Sequence, residues 1–376
     1  MAERTQAALY SDIDLDLSWS EHQLPQVERT KHVHGLHPYL GKFIPQLVDV
    51  FLGRYFRPGD CVYDPFVGSG TTLVEASAFG AAGIGCDISA FNCLLTGVKT
   101  AEYSVGVLEM ALRATYEASR QNEPRIDVSH VSEWLHRWYA PRALRELLAY
   151  RVAASELDDP IRDVARVILS RSARSARLTT HFDLDFPRLP VREAYHCHKH
   201  KRTCAPVEEA GKFLRRYSSD TSQRIRTFAS VRGRTELMVL YEDSRTVRLP
   251  MRPSGIITSP PYPGLIDYHE QHRYAYELLG LVDRRLDEIG PASRGSSRSA
   301  LAEYQSSMVG VLLNASEQMN SGSPVVIVVN DSRNLYPEIL DQSGLRLEDV
   351  LTRHVNRRTG RRAGEFYENV LMCSTA

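Results

Sequence analysis

The fold is decided by residues 60–76, which read Asp60-Cys61-Val62-Tyr63-Asp64-Pro65-Phe66-Val67-Gly68-Ser69-Gly70-Thr71-Thr72-Leu73-Val74-Glu75-Ala76. A short apolar strand ends in an acid, and a glycine-rich turn follows it. A helix then begins at a threonine. Glycine lets the backbone approach a ligand closely, and the first turn of a helix offers free N–H groups. The stretch therefore predicts a ligand-binding turn between a strand and a helix.

A second strand and a second acid complete this unit. The helix is predicted to end near Phe79, where Gly80 suits a helix terminus. Residues 83–87 then form a strand that ends in Asp87, roughly twenty residues after the first glycine. In nucleotide-binding folds an acid at this place binds the ribose hydroxyls. The order of elements predicts a nucleotide-type site at the carboxyl edge of a parallel sheet.

The same residues indicate which nucleotide is bound. A nucleoside-triphosphate loop requires a lysine directly after its last glycine, and none follows Gly70. The dinucleotide fingerprint requires a third glycine at the position that Leu73 occupies. Asp64 would repel a pyrophosphate and attract an amino group. S-adenosylmethionine, which has an adenosine, no phosphate and a cationic amino-acid tail, satisfies these conditions.

Composition limits the class of protein. The 376 residues, 43% hydrophobic and 24% charged, predict a globular protein of one large domain or of one domain with an insertion. We expect no membrane span, and residues 1–16 carry acids where a signal peptide needs bases. Six scattered cysteines indicate a reducing cytoplasm. The formal net charge is zero, so nucleic-acid binding has to be argued from local charge.

A second motif, Thr258-Ser259-Pro260-Pro261-Tyr262, follows an apolar run at residues 255–257. The prolines stop the predicted strand, because proline cannot donate a ladder hydrogen bond and keeps the preceding residue extended. A hydroxyl, backbone carbonyls and an aromatic ring are thereby displayed past a strand end, where a planar ligand can bind. An isolated motif of this kind is also typical of an ordinary turn. The glycine loop and the acids that end other strands, Asp87 and Asp243, favour a site.

The middle of the chain has a different pattern. Apolar residues at spacings of three and four predict helices over 105–121, 134–157 and 160–176. This is more chain than one crossover between strands needs. We therefore predict the following organisation: a polar amino-terminal arm at 1–30, a catalytic core at 31–100 and 236–376, and a helical and basic insertion at 101–235 that recognises the target. Residues 283–298, which are charged and rich in glycine and serine, are predicted to form a mobile loop.

Two segments carry local positive charge. They contribute Lys199, Lys201 and Arg202 in the run at 196–204, and Arg357, Arg358, Arg361 and Arg362 in the loop at 356–362. Clustered lysines and arginines are typical of surfaces that contact nucleic-acid phosphates. A solvated surface segment has the same composition, so the neighbouring motifs decide in favour of DNA contact.

Histidines and cysteines also occur together. Cys197 and Cys204 flank histidines that alternate with lysines, and no second Cys-x-x-Cys pair closes a tetrahedron. The histidines at 32, 34 and 37 have no cysteine or carboxylate set beside them. We therefore assign no metal from the sequence, while metal binding by residues 196–204 stays open.

The two motifs together resemble the amino-methylating DNA methyltransferases. The residues that carry the resemblance are Asp64-Pro65-Phe66-x-Gly68-Ser69-Gly70-Thr71 and Ser259-Pro260-Pro261-Tyr262. The leading serine of the second motif is similar to that of the cytosine-N4 members. The segment His37-Pro38-x-x-x-Lys42-Phe43-Ile44-Pro45 resembles the family segment that covers the methionine end of the cofactor. The implied fold is α/β, a seven-stranded, mostly parallel Rossmann-like sheet flanked by helices.

The resemblance implies the site residues. Asp87 would bind the ribose and Asp243 would face the adenine amine. The implied S-adenosylmethionine site consists of His37, Lys42, Phe43, Asp64, Pro65, Phe66, Gly68, Gly70, Thr71, Asp87, Asp243 and Ser259. The implied catalytic residues are Ser259, Pro260, Pro261 and Tyr262. The implied partner is double-stranded DNA, and whether a cognate restriction endonuclease acts as a functional partner stays open. The implied location is the cytoplasm of a prokaryotic cell, in association with the nucleoid.

The expected chemistry is methyl transfer to an exocyclic amine, a poor nucleophile because its lone pair is delocalised. Ser259 and the Pro260 carbonyl can accept the amine hydrogens, and Tyr262 can stack on the base. The base must first leave the duplex. No Pro-Cys dipeptide is present, which argues against transfer to cytosine C5. Adenine-N6 methylation, RNA methylation such as guanine-N2, and a catalytically idle nucleic-acid-binding module remain alternatives.

Overall fold

The computed structural model describes residues 17–181, 183–185, 187–355 and 366–376. Its strands are β1 (Cys61–Asp64), β2 (Ala82–Cys86), β3 (Tyr195–Cys197), β4 (Arg202–Cys204), β5 (Leu237–Leu240), β6 (Gly255–Thr258), β7 (Pro324–Val329), β8 (Leu345–His354) and β9 (Tyr367–Thr375). One seven-stranded sheet has the order β5-β2-β1-β6-β7-β9-β8, and β3 and β4 form a separate hairpin. The first five strands of that order are parallel, whereas β9 runs antiparallel to both of its neighbours. The predicted fold class is confirmed.

Helices connect and cover these strands. They are α1 (Gln26–Arg29), α2 (Pro45–Tyr55), α3 (Thr71–Phe79), α4 (Ala90–Thr100), α5 (Val105–Asn122), α6 (Glu133–Trp138), α7 (Pro141–Ser155), α8 (Ile161–Ala176), α9 (Gly211–Ala229), α10 (Tyr268–Gln271), α11 (Arg273–Leu279), α12 (Arg298–Ser316) and α13 (Tyr336–Gln342). The single helix predicted over 134–157 is wrong. It is two helices, because Pro141 begins a new one and Ala140 before it is extended (φ −65°, ψ 149°).

The central strands are buried on both faces. Successive residues alternate between two hydrophobic clusters, so that Tyr63 and Ile256 pack on α12 and α13, whereas Val62 and Ile257 pack on α2. This alternation explains why the strands are continuous apolar runs rather than amphipathic ones. The buried sheet leaves only its carboxyl edge to present polar groups to a ligand.

The helices between residues 105 and 229 share one hydrophobic core with the sheet-flanking helices. Leu112 of α5, Ile168 of α8 and Leu214 of α9 belong to the same buried cluster as Phe91 and Leu95 of α4. The region is therefore packed on the Rossmann-like layer through apolar contact. Its role in target recognition stays a prediction.

The end of the predicted amino-terminal arm is not loosely attached. Leu17 is 1% exposed and packs in the cluster that contains Phe51. The Arg353 side chain donates to the Leu17 carbonyl at 3.1 Å, and the His354 N–H donates to the Ser18 hydroxyl at 2.9 Å. An apolar residue among acids anchors this part of the chain at strand β8. Residues 1–16 lie outside the described part.

A buried carboxylate joins three elements at the carboxyl edge of the sheet. Asp64, which ends β1, is 0% exposed. One of its oxygens accepts from the Thr258 hydroxyl (2.7 Å) and the Phe66 N–H (3.1 Å), and the other accepts from the Thr72 hydroxyl (2.6 Å). The ends of β1 and β6 and the start of α3 are thereby fixed relative to one another. Burial raises the pKa of Asp64 from 3.8 to about 6, although these hydrogen bonds oppose the rise.

Glycine is required at position 70, which leads into α3 with φ +77°. A Cβ there would lie 2.8 Å from two side-chain atoms of Thr96. We expect Gly70→Ala to lower the free energy of unfolding by about 1–3 kcal/mol in urea titrations, because backbone strain and overpacking add. Gly97→Ala is the matched control in a helix with no atom within 4 Å, and it should raise stability by about 0.5–1 kcal/mol. Equal effects of the two substitutions would contradict this account.

The Asp64 carboxyl should make stability depend on pH in a defined direction. Its folded-state pKa of about 6 lies above the unfolded 3.8, so protonation favours the folded state. The stabilisation of the folded state by this proton is fully present below pH 3.8 and is lost as the pH rises through 6. Over that window it amounts to about 3 kcal/mol. The check is the change in unfolding free energy between about pH 4 and about pH 7 for wild type and Asp64→Asn. Identical pH dependence in both proteins would show that Asp64 does not titrate in this way.

Candidate active site

A cleft of about 830 Å³ opens at the carboxyl edge of the sheet. It lies where the loops after β1, β2, β5 and β6 meet, which is where open parallel sheets bind ligands. Many of the predicted site residues border it: Lys42, Phe43, Pro65, Phe66, Gly68, Thr71, Asp87, Asp243, Ser259 and Pro261. The two sequence motifs and both strand-end acids therefore share one cavity.

The glycine loop is held rigidly against the strands. The Val67 N–H donates to the Cys86 carbonyl at 3.1 Å, and the Thr96 hydroxyl donates to the Gly68 carbonyl at 3.1 Å. The fully buried Lys99 ammonium donates to the Ser69 carbonyl, and burial lowers the pKa of Lys99 well below its usual value. Such fixed contacts on both sides of the loop keep its ligand-facing groups preorganised.

Asp87 borders the cavity beside this loop. Its carboxylate accepts from the Gly68 N–H (3.0 Å), the Ser89 N–H (2.8 Å) and the Asn92 amide (2.9 Å). Burial raises the pKa of Asp87 above its ordinary value, against the effect of these hydrogen bonds. A carboxylate has about four acceptor positions, so it can still accept from a ligand hydroxyl.

The cavity has unused polar capacity and apolar walls that fit S-adenosylmethionine. The hydroxyls of Ser69 and Thr71 are buried at the amino end of α3 and have no hydrogen-bond partner among the described residues. Such a helix terminus favours a carboxylate, as the amino-acid tail of this cofactor carries. Phe66, Ile88 and Ile289 give the cavity apolar surface that suits an adenine ring.

Asp243 borders the opposite part of the cavity and forms an ion pair with Arg245. The Arg245 Nε–H lies 2.9 and 3.0 Å from the two carboxylate oxygens. Although burial acts in the opposite direction, the hydrogen bonds from Arg245 hold the pKa of Asp243 below its usual value. The carboxylate is therefore ionised and can accept from an amine.

His37 and Asp64, predicted to contact the cofactor, do not border the cavity. His37 is buried, with its Nδ1 2.7 Å from the Pro38 carbonyl and its Nε2 3.2 Å from the Ser170 hydroxyl. It packs against Phe91 in the helical layer. All of the donors around Asp64 come from the protein itself. Both side chains support the cavity from behind because they lie one layer below its surface.

Gly70 does not border the cavity either. Its backbone turns the chain into α3 at a point where Thr96 leaves no room for a side chain. Gly70 therefore shapes the loop, and its contact with the cofactor stays a prediction.

The second motif is only partly exposed to the cavity. Ser259 and Pro261 border it, and Pro260 is buried. The Tyr304 hydroxyl donates to the Pro261 carbonyl at 3.1 Å, whereas no described residue donates to the Pro260 carbonyl. The Tyr262 hydroxyl donates to Glu368 at 3.1 Å, and Glu368 forms a buried ion pair with Arg353 at 2.9 Å. The tyrosine ring is therefore anchored from its far end.

Sequence reasoning missed several cavity residues. Asn92, in the first turn of α4, donates a hydrogen bond to Asp87. The sequence signal for this residue was a polar side chain in an otherwise apolar helix start. The loop at 283–298, predicted to be mobile, places Asp287, Glu288 and Ile289 on the cavity. The Glu288 carboxylate holds it, because one of its oxygens accepts from the His269 backbone N–H at 2.7 Å and also contacts Nδ1 of the His269 ring. No local pattern in that loop indicates this contact.

The predicted DNA contacts fall into two groups. Lys199, Lys201 and Arg202 are exposed on the β3–β4 hairpin and form no ion pair with a described residue. The other predicted residues, Arg357, Arg358, Arg361 and Arg362, lie outside the described residues. Within the described ranges, no helix combines the length and apolar character needed to span a membrane.

Known proteins resemble this chain. The family model N6_N4_Mtase, described as DNA methylase, matches residues 5–96. The Type II methyltransferase M.MjaII of Methanocaldococcus jannaschii is 38% identical over an alignment of 442 residues, which covers 95% of this chain and 83% of that protein. The Type II methyltransferase M.MvaI of Kocuria varians is 37% identical over 82 residues, which cover 21% of this chain and 18% of that protein.

Among solved structures, TrmN from Thermus thermophilus matches with a TM-score of 0.34 and 13% identity, over 90% of this chain and 50% of that one. That likeness is too low to inform function. The similarity to M.MjaII extends over nearly the whole chain at more than a third identity, and the family model covers the glycine loop. The chain belongs to the S-adenosylmethionine-dependent, amino-methylating DNA methyltransferases.

Proposed function

We propose that this enzyme transfers a methyl group to the exocyclic N4 amine of a cytosine in double-stranded DNA. The observation that carries the proposal is that Ser259 borders the same cavity as the glycine loop and Asp87. Strand β1 leads into the glycine loop, and strand β6 leads into Ser259. The two strands pair directly, with Val62 opposite Gly255. A cofactor over the loop and an amine at Ser259 would therefore lie side by side.

Each part of the cavity has a proposed partner in the cofactor. S-adenosylmethionine, when bound, supplies a methyl group on a sulfonium centre. Ser69 and Thr71 at the start of α3 would bind its carboxylate, Asp87 the ribose hydroxyls and Asp243 the adenine amine. The unpartnered buried hydroxyls of Ser69 and Thr71 support the first of these assignments.

Ser259 and Pro260 would prepare the amine. The Ser259 hydroxyl and the Pro260 carbonyl can each accept one amine hydrogen, which turns the nitrogen lone pair away from the ring and toward the methyl group. S-adenosylmethionine, when bound, would supply the methyl group to this nitrogen and would be left as a neutral thioether, and the surplus amine proton would pass to solvent. Positioning of this kind, without a covalent intermediate, can supply several kcal/mol of the barrier reduction.

The choice of cytosine depends on Ser259, because a serine at the start of this motif resembles the motif of the cytosine-N4 members of the family. Adenine-N6 transfer is the alternative, because adenine also presents an exocyclic amine beside a ring nitrogen. Tyr262, anchored through Glu368, is proposed to stack on the flipped base in either case.

Contact with DNA is proposed for the basic residues of the β3–β4 hairpin, for the arginines at 357–362 and for the insertion at 101–235 as the target-recognition region. The exposure of Lys199 and Lys201 supports this proposal. The printed name of the relative, a Type II methyltransferase, supports a role in restriction and modification. A cognate restriction endonuclease would then be a functional partner in the cytoplasm of a prokaryotic cell.

Replacement of Ser259 by alanine should separate catalysis from cofactor binding. We expect Ser259→Ala to bind S-adenosylmethionine with wild-type affinity in a calorimetric titration. Its single-turnover rate on DNA should fall about 10²- to 10³-fold, the usual effect of removing one hydrogen-bonding group that acts in the transition state. Ser306→Ala, on the exposed face of α12, is the matched control and should keep the wild-type rate. An unaltered rate in Ser259→Ala would exclude the proposed role.

The base is tested by sequencing genomic DNA from a host that expresses the enzyme. We expect N4-methylcytosine at one recurring sequence and none in a host that expresses a control protein. N6-methyladenine at that sequence would overturn the cytosine assignment and leave the enzyme class intact. No modified base, together with calorimetric binding of S-adenosylmethionine, would argue for a substrate other than DNA.

A further inference from the structure

Four metal-binding side chains converge on the β3–β4 hairpin, away from the cleft. They are His181, Cys197, His200 and Cys204, and their donor atoms all lie within 4.8 Å of one another. The cysteines lie on the same face of the hairpin as diagonal neighbours, because Cys204 pairs with Tyr195, two positions before Cys197, and Cys197 pairs with Arg202. His200 comes from the turn between the strands, and His181 comes from the segment after α8.

The distances match those of a tetrahedral zinc site. The Cys197 sulfur lies 3.6 Å from Nδ1 of His181 and 3.6 Å from Nδ1 of His200, and the Cys204 sulfur lies 3.6 Å from Nδ1 of His200. Zinc bonds of about 2.3 Å to sulfur and about 2.0–2.1 Å to nitrogen, at a tetrahedral angle, place these atoms about 3.6 Å apart. Three of the six donor separations therefore already have the value that an ion between them requires, and the other three are within 4.8 Å.

The turn brings the histidine ligand into place. Lys201 has a positive φ of 52°, and its N–H donates to the Cys197 carbonyl at 2.7 Å. A positive φ is uncommon for a lysine and costs free energy. This tight turn folds His200 back over Cys197. If both side chains bind one ion, the free energy of binding offsets the backbone strain at Lys201.

Few contacts with other described residues support the hairpin; the hydrogen bond from the His181 N–H to the Tyr195 hydroxyl is one of them. Each of its strands has three residues, and they pair with no other described strand. Among residues 195–204 only Cys197 and Cys204 are buried. An isolated two-stranded hairpin is marginal in water, and both cysteines are free thiols rather than a disulfide. A bound ion would supply the missing core.

We propose that His181, Cys197, His200 and Cys204 bind one structural Zn²⁺ ion. Two thiolates and two imidazoles are the donor set that zinc prefers, and four protein ligands leave no open position for catalysis. The fourth ligand is not a second Cys-x-x-Cys pair but His181, which lies outside the run at 196–204.

One contact competes with this assignment. The Tyr195 hydroxyl lies 2.9 Å from Nδ1 of His181, and it also accepts from the His181 N–H at 3.0 Å. With zinc bound, the hydroxyl keeps the second contact while Nδ1 faces the ion. The alternative, in which Nδ1 serves only to accept from Tyr195, does not explain the two buried thiols.

The ion would have a consequence for substrate binding. Lys199, Lys201 and Arg202 lie between the ligands in the chain, so a zinc ion would fix the direction in which their charges point. Two thiolates also cancel the charge of the ion, and the hairpin keeps its net positive charge. The consequence for DNA, unlike the site itself, rests on the proposed function.

Metal content tests the site directly. Enzyme purified without a histidine tag and dialysed against metal-free buffer should contain about one zinc per chain by mass spectrometry of the elements. Replacement of the zinc by Co²⁺ should give the visible bands of a tetrahedral ion and thiolate charge transfer in the near ultraviolet. Less than about a tenth of an equivalent after reconstitution with zinc, or an octahedral cobalt spectrum, would overturn the proposal.

Matched variants assign the ligands. Cys197→Ser and Cys204→Ser should each lower zinc content by at least about tenfold, since loss of a ligand exceeds loss of an outer-shell partner. His198→Ala, which changes a histidine that lies beside the ligands in the chain, should keep a full equivalent. Loss of zinc in His198→Ala, or full retention in Cys197→Ser, would refute the ligand set.

Two further measurements keep the test independent of folding and of activity. Chelation of wild-type enzyme should expose two additional reactive thiols, with calorimetric binding of S-adenosylmethionine unchanged. A thiol count that shows Cys197 and Cys204 joined as a disulfide would overturn the proposal. Failure of the metal test leaves the methyltransferase proposal standing, because the cleft shares no residue with this cluster.

Discussion

The site depends on one buried carboxylate. Asp64 ends β1 and accepts hydrogen bonds from Thr258 at the end of β6, from Thr72 in α3 and from Phe66 in the glycine loop. Because Thr258 immediately precedes Ser259, the serine of the second motif is held in a fixed position relative to the glycine loop. Burying this carboxylate costs free energy, as its raised pKa shows, and the hydrogen bonds offset part of that cost.

The same principle applies behind the loop. Glu75 of α3 is buried and accepts from Lys31 at 3.0 Å, with the His34 ring at 2.7 Å on its other oxygen. Burial lowers the pKa of His34 well below its usual value, so the ring is neutral and donates a hydrogen bond rather than a charge. Together with Lys99 on the Ser69 carbonyl, this network fixes the far side of α3. A cleft whose walls are set before the ligands arrive loses little entropy when they bind.

Much of the site was predictable because its signals are local. Each signal consists of a strand end and the turn residues directly after it. This is true of the glycine loop, of the Ser-Pro-Pro-Tyr stretch and of the acids Asp87 and Asp243. Other features depend on which layers meet in space. His37 lies below the surface because the helical layer covers it, and Glu288 reaches the cleft because it pairs with the distant His269. The fourth donor beside Cys197 was likewise hidden, since His181 is joined to it only by the tertiary fold.

The pairing of β1 with β6 also constrains how the enzyme is made. Val62 and Gly255 are neighbours in the sheet, yet the whole helical region is synthesised between them. A ribosome that has completed β1 must therefore add residues 65–254, which include its other neighbour β2, before β6 exists. Until then the glycine loop has no Thr258 to bond to Asp64, and half of the cleft is missing. The cleft is therefore complete only after Ser259 and residues 287–289 have been added, and contacts between such distant parts of a chain form slowly.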